Sequence, residues 1–265
     1  MKAAGLGGTT GAARRRPTEE RSAPTRTDKR PDDRNESAPN ADRKGGICVR
    51  PRFDEQLEAL NQKLIEMASR VGAAIDKALK ALVEQDGVLA ETVIREDESI
   101  NLLNVEIEDG VFTFIALQNP VGPDLRRVAT MLKMANDLER IGDHAVSIAK
   151  AARRILTEQY VKPLVDTPKM GAIVREMLHE AIDAYIAEDI ERARAVARRD
   201  DEVDALYRAI VTDAVQIMSA DERWVNQGTQ FLFVARSLER IGDYVTNICE
   251  WIHYLKTGEI REFND

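Results

Sequence analysis

Cysteine, histidine, aromatic side chains and long apolar runs are all scarce in this 265-residue chain, and each scarcity excludes something. The two cysteines, Cys48 and Cys249, form no C-x-x-C pair, which rules out a disulfide scaffold and fits a reduced compartment. The three histidines, His144, His179 and His253, enter no Ser/His/Asp or Cys/His arrangement of a nucleophilic enzyme. No glycine-rich loop of the kind that cradles phosphate occurs. No window approaches about 18 uninterrupted apolar residues, so no membrane span is expected. Proline and glycine are sparse after residue 51, and strand-like alternation is missing. The net charge of -8 argues against general nucleic-acid binding.

What is present is unevenly spread. Residues 1–50 hold 12 basic and 7 acidic side chains, and the remainder holds 26 and 39, giving +5 and -13. The first 50 residues are poor in large apolar side chains and cannot bury enough surface to offset ordering, so a disordered basic tail is expected there. Arg14, Arg15 and Arg16 suggest a transit peptide, but acidic residues at 19, 20, 32, 33 and 36 oppose it. A dispensable tail or an over-extended start accounts for this stretch, and a partner-binding arm is the alternative.

From Phe53 onward the apolar period is helical. Leu57, Leu60, Leu64, Met67, Val71, Ile75, Ala78 and Leu82 make one stripe. Asp86-Gly87 interrupts it, and Val93, Ile100, Leu103, Ile107 and Phe114 make a second. Asn119-Pro120-Val121-Gly122-Pro123 is a firm break, after which Leu125, Val128, Leu132, Ala135, Val146 and Ala149 form a third. A loop with Pro163 and Pro168 ends this half. The other half predicts helices over Lys169–Ala187, Asp189–Ser219 and Glu222–Lys256.

The two halves repeat each other. Leu-Glu-Arg-Ile-Gly-Asp stands at 138–143 and again at 238–243, and Leu132 matches Leu232 in the same frame. The second helices align with an offset of 103, Ile100-Asn101 facing Val203-Asp204. The chain therefore reads as all-α: a duplicated three-helix unit, giving two tandem pseudo-symmetric three-helix bundles over residues 51–160 and 161–265.

The repeated hexapeptide puts carboxylates where apolar side chains belong. At about 100° per residue, Glu139 shares its angle with Leu132, Ala135 and Val146, with Asp143 about 40° away. Glu239 and Asp243 take the same places on the third helix of the second half. Asp97 with Asn101, and Asp200 with Asp204, line the margins of the second helices, as do Asn104 and Glu108. Ionised carboxylates in an apolar stripe need a counter-charge. Arginine partners such as Arg140 and Arg240 supply one reading, and a cation supplies the other. Oxygen-rich ligation favours Mg, Ca, Mn or Fe over a structural zinc. Gly142 and Gly242 imply a close helix approach.

These features resemble the PhoU family, over about residues 52–260. The resemblance rests on the paired hexapeptides, the duplicated unit and the phrase Gln118-Asn-Pro-Val-Gly-Pro-Asp-Leu-Arg-Arg-Val128 opening the third helix. It implies acid-x-x-x-Asp metal motifs at Glu139–Asp143, Glu239–Asp243 and Asp200–Asp204, with the fourth altered to Asp97–Asn101. It implies a multinuclear iron or zinc cluster on these faces, Mg, Mn or Ca remaining open. It implies a cytoplasmic, non-enzymatic, homodimeric adaptor that is peripheral to the membrane at most. Such an adaptor stands between the ATPase subunit of the phosphate-specific ABC transporter and a sensor histidine kinase, and holds the starvation response off when phosphate is ample. Two other classes compete with this one. A carboxylate-bridged di-metal enzyme usually needs Glu-x-x-His on two helices, and none faces these stripes. A metal-free helical scaffold needs no site at all. The second face, with one more carboxylate, is expected to bind a cation more tightly.

Overall fold

Asp86 accepts a hydrogen bond from the Leu89 amide at 2.9 Å, and Asp189 accepts one from the Arg192 amide at 3.0 Å. Each aspartate satisfies an orphan donor at the start of a helix and so fixes where that helix begins. In the computed structural model, which describes residues 51–263, these caps open the second helix of each half. The helices are α1 (Pro51–Glu84), α2 (Gly87–Gln118), α3 (Pro123–Arg154), α4 (Asp166–Ala187), α5 (Ile190–Ala197), α6 (Asp200–Ala220) and α7 (Val225–Thr257). A 3-10 turn at Glu222–Trp224 leads into α7, and the described residues contain no strand. The expected disordered tail lies outside the described residues.

The duplication extends into the turns. Gln85 and Glu188, at φ 54° and 49°, each occupy the left-handed region immediately before the capping aspartate. The amide of Asp86 reaches back to the Ala81 carbonyl at 3.0 Å, and that of Asp189 to the Ala184 carbonyl at 2.9 Å. Both turns therefore use the same left-handed helix stop to reverse the chain. Gly122, at φ 56°, followed by Pro123 at the first helical position, starts α3 as the Pro/Gly break predicts.

The apolar stripes become the core. Leu64, Met67, Val71, Ile75, Ala78 and Leu82 of α1 are fully buried, as are Met131, Leu138, Ile141 and Ile148 of α3. α1, α2 and α3 pack on one another; α4, α5, α6 and α7 do the same. The halves meet like against like, α3 against α7 and α1 against α4, which is what a pseudo-twofold between two copies requires. The chain segment joining the halves, residues 155–165, is pinned to α7. Gln227, fully buried there, accepts from the Val161 amide at 2.9 Å and donates to the Gln159 carbonyl at 3.2 Å. No described helix is long and apolar enough to cross a membrane.

Three expectations need correction. The helix predicted over Asp189–Ser219 is two helices, α5 and α6. Around the join, the Arg199 amide bonds to the Val196 carbonyl at 2.9 Å and the Glu202 amide to the Arg199 carbonyl at 3.0 Å. That is the tighter three-residue spacing, which breaks the α-helical ladder. Arg199 is held there by Glu176 and Glu180 of α4, at 2.7 and 3.2 Å. Pro168, placed in a loop, belongs to the first turn of α4, where a missing N–H leaves no bond unmade. Leu125, placed in the third stripe, is exposed near the start of α3.

Candidate functional site

The glycine of each hexapeptide is where the second helix touches the third. A Cβ at Gly142 would stand 3.4 Å from Ile100 and 3.5 Å from Oδ1 of Asp97. A Cβ at Gly242 would stand 2.5 Å from Oδ1 of Asp200 and 3.4 Å from Val203. Because these are aligned partners, both copies of the sequence seat a second-helix aspartate against a third-helix glycine. The leucine and isoleucine of each copy, Leu138, Ile141, Leu238 and Ile241, are buried core.

On the first face, α3 contributes Glu139 and Asp143 and α2 contributes Asp97. The three are electrostatic neighbours. Burial pushes the Asp97 carboxyl above its ordinary range, and the Asp143 charge adds to this. Burial likewise raises Glu139, with Asp143 and Asp97 acting in the same direction against Arg140. Asn101 donates its amide to Oδ2 of Asp97 at 3.2 Å and opposes the shift. Oδ1 of Asp97 is buried and accepts no hydrogen bond, as is Oδ1 of Asn104 one turn beyond Asn101. Counter-charge is thin: Arg140 Nε lies 3.5 Å from Glu139.

The second face gathers Glu239 and Asp243 of α7 with Asp200 and Asp204 of α6. Burial raises Glu239 most, then Asp243, opposed by Arg236 and Arg240. Burial also raises Asp243, opposed by the same two arginines and reinforced by Asp204. Here the arginines are in contact. Arg236 donates to Glu239 at 2.6 Å, Arg240 to Asp243 at 3.0 Å, and Arg208 to Asp204 at 3.2 Å. Oε2 of Glu239 is buried, accepts no hydrogen bond, and faces Arg240 Nε at 3.8 Å. Position 236 is asparagine in the first half, Asn136, which accounts for much of the difference.

Between the faces, His144 of α3 and Tyr244 of α7, aligned residues of the two halves, bring their rings to 5.8 Å. Burial lowers the His144 pKa; Asp143 opposes this and Arg240, Arg236 and Arg140 add to it. The neutral imidazole is thus favoured beside these guanidinium groups.

All eight predicted residues fall on these two faces, Asn101 as a hydrogen-bond donor to its neighbour. Among the described residues no three His, Cys, Asp or Glu side chains stand in coordinating geometry around one point. The donor set is oxygen-only, crowded with like charge, and includes the unsatisfied buried oxygens of Asp97 and Glu239. That chemistry fits a hard cation once side chains close on it. Sequence reasoning missed Arg236, whose only signal was its mismatch with Asn136.

The PhoU domain profile matches residues 64–152 and 167–252. The phosphate-specific transport system accessory protein PhoU homolog of Clostridium acetobutylicum is 43% identical over 218 residues, covering 82% of this chain and 100% of that one. The phosphate-specific transport system accessory protein PhoU of Escherichia coli is 35% identical over 208 residues, covering 78% of this chain and 86% of that one. The crystal structure of the phosphate transport system regulatory protein PhoU from Streptococcus pneumoniae superposes with a TM-score of 0.75 at 33% identity, over 79% of this chain and 99% of that one. PhoU from Pseudomonas aeruginosa gives a TM-score of 0.75 at 32% identity, over 78% and 100%.

Proposed function

Because the chain belongs to the PhoU family, we propose that it is a regulatory accessory protein of a phosphate-specific transport system. It works in the cytoplasm, as a homodimeric adaptor without catalytic turnover. Its partners are the ATPase subunit of the transporter and a sensor histidine kinase, and it holds the starvation response off when phosphate is ample. The observation that carries this reading is the match itself: relatives named as accessory proteins of this system are covered over 86–100% of their length. The acidic body, at -13 outside the first 50 residues, suits a basic partner surface and an association that added salt weakens.

The acidic faces belong to this proposal as cation sites. Asp97, Glu139 and Asp143, with Asn101 as a neutral oxygen donor, would hold a cation on the first face. Asp200, Asp204, Glu239 and Asp243 would do so on the second. A bound iron, zinc, manganese or magnesium ion would neutralise the crowded carboxylates and tie the second helix of each half to the third. Arg208, Arg236 and Arg240 already neutralise much of the second face, so its additional carboxylate is offset. The same ion pairs favour a second reading for that face alone, a metal-free structural contact.

The test is genetic. In cells lacking this protein, phosphate-responsive genes should be expressed in rich phosphate, and residues 51–265 alone should restore repression. Normal repression after deletion, with no paralogue to account for it, sinks the regulator reading. Failure of residues 51–265 alone assigns the basic tail to partner contact.

A further inference from the structure

The duplication supplies its own control for what an outer helix needs. α2 and α6 hold equivalent places in the two halves, yet their outward faces differ. α2 exposes Leu102 (58%), Val105 (52%) and Phe112 (52%), with Asp109 among them. With the offset of 103, α6 presents Ala205, Arg208, Val215 and Thr212. At 100° per residue, Leu102, Val105, Asp109 and Phe112 lie within an arc of about 80°. α6 folds and packs with Val215 the one large apolar side chain exposed at these positions, so stability does not demand the apolar α2 face. An exposed apolar stripe of this kind, interrupted by Asp109, marks a contact surface.

Beside the stripe, α1 and α2 enclose a notch of about 310 Å³. Its floor is Ala59, Leu60, Gly110 and Phe114, and its charged lining is Lys63, Glu106 and Asp109. Gly110 keeps it open: a Cβ there would come within 2.5 Å of Leu60. Glu106 is taken by Lys63 at 2.8 Å, whereas Asp109 has no ion-pair partner among the described residues. An apolar floor under a free carboxylate fits the stem and head of a lysine or arginine.

We propose that the outer face of α2, with the α1–α2 notch, docks a basic amphipathic helix of a partner protein. Its apolar residues lie on Leu102, Val105 and Phe112, and one lysine or arginine enters the notch toward Asp109. Charge selects this occupant. A second copy paired antiparallel, with Leu102 on Phe112, would set two copies of Asp109 and Glu106 around its centre with no new cation. An anionic lipid surface would meet the Asp109 carboxylate, like charge on like. The inference rests on the partner-contact reading above and names the surface for it.

The experiment exchanges the face for its counterpart in the other half. Full-length Leu102→Ala/Val105→Arg/Asp109→Thr carries the residues of α6, all at exposed positions, and circular dichroism and thermal melting check its fold. The probe is a fluorescent helical peptide of about 18 residues, roughly five turns, with leucines on one face and arginines on both margins; a second version carries glutamates instead. Wild type should bind the arginine peptide at least about tenfold more tightly than the exchanged chain does, and more tightly as salt falls. It should discriminate against the glutamate peptide. Equal binding by both chains, or of both peptides, overturns the proposal. So does a dimer that the exchange converts to monomer in sedimentation, or binding to phosphatidylglycerol vesicles that the exchange abolishes.

Repression of phosphate-responsive genes in the deletion strain separates this surface from the regulator reading. Restoration by wild type but not by the exchanged chain supports the surface. Restoration by both sinks the surface and leaves the regulator reading standing. Restoration by neither sinks the regulator reading, and the peptide measurement then decides the surface.

Discussion

Trp251 of α7 donates its indole N–H to a carboxylate oxygen of Asp137 on α3 at 3.0 Å, joining the two halves by a side-chain bond. Lys133 lies over the same indole, 5.6 Å from the ring centre. Burial raises the Asp137 pKa to about 6, against the opposing pull of Trp251 and Lys133.

A carboxyl raised in this way favours the folded state while it is protonated. Its contribution is full below the unfolded value near 3.8 and is lost as pH rises through about 6. Asp137→Asn keeps an oxygen for Trp251 and cannot ionise. It should match wild type near pH 4 and exceed it at pH 7.5 by up to about 3 kcal/mol, the equivalent of a two-unit shift. Urea denaturation of both proteins across that range measures the difference.

The two hexapeptide glycines should respond differently to alanine. At Gly142 the added methyl meets ordinary van der Waals distances, so Gly142→Ala should gain up to about 1 kcal/mol from helix propensity. At Gly242 the methyl meets Asp200 at 2.5 Å, so that side chain must move and the gain should vanish. Denaturation midpoints of the two single variants give the comparison.

Cation loading tests the acidic faces. Asp243→Asn should lower bound metal more than Asn101→Ala, which leaves the Asp97 carboxylate in place. Arg236→Asn gives the second face the residue that the first has at Asn136, and should raise its affinity. Manganese titration followed by electron paramagnetic resonance reads both. Equal metal content in the two acid-face variants, at the parent's stoichiometry, counts against the assignment.

Gln227→Leu should destabilise the connection between the halves. It leaves the Val161 amide and the Gln159 carbonyl without their partner, a loss of about 1–3 kcal/mol for buried groups. Thermal unfolding detects it.

Legibility followed periodicity. The α1 stripe from Leu60 to Leu82 is buried in the core, with Leu57 partly buried against it, because one helix face burying apolar side chains leaves a period in the letters. The doubled hexapeptide located both acidic faces, since identical letters in identical surroundings take identical places. The break between α5 and α6 carried no such mark. It depends on Arg199 reaching Glu176 and Glu180 on another helix, a contact that no local pattern records. Trp251 and Asp137 lie 114 residues apart and have no repeat partners of the same type, so only the packing of α3 on α7 reveals them.

The ion pairs that brace α1 to α2 and α4 to its following helices are mirror images in sign. Lys77 meets Glu96 at 2.5 Å in the first half; at the aligned positions Glu180 meets Arg199 at 3.2 Å in the second. Two copies of one hairpin plan on a single chain face a sorting problem while they fold, since the duplicated pattern offers each first helix two candidate mates. Exchange would set Lys77 against Arg199 and Glu96 against Glu180, like charge on like, so the reversed polarity disfavours the crossed partnership and lets each helix distinguish its mate from the replica.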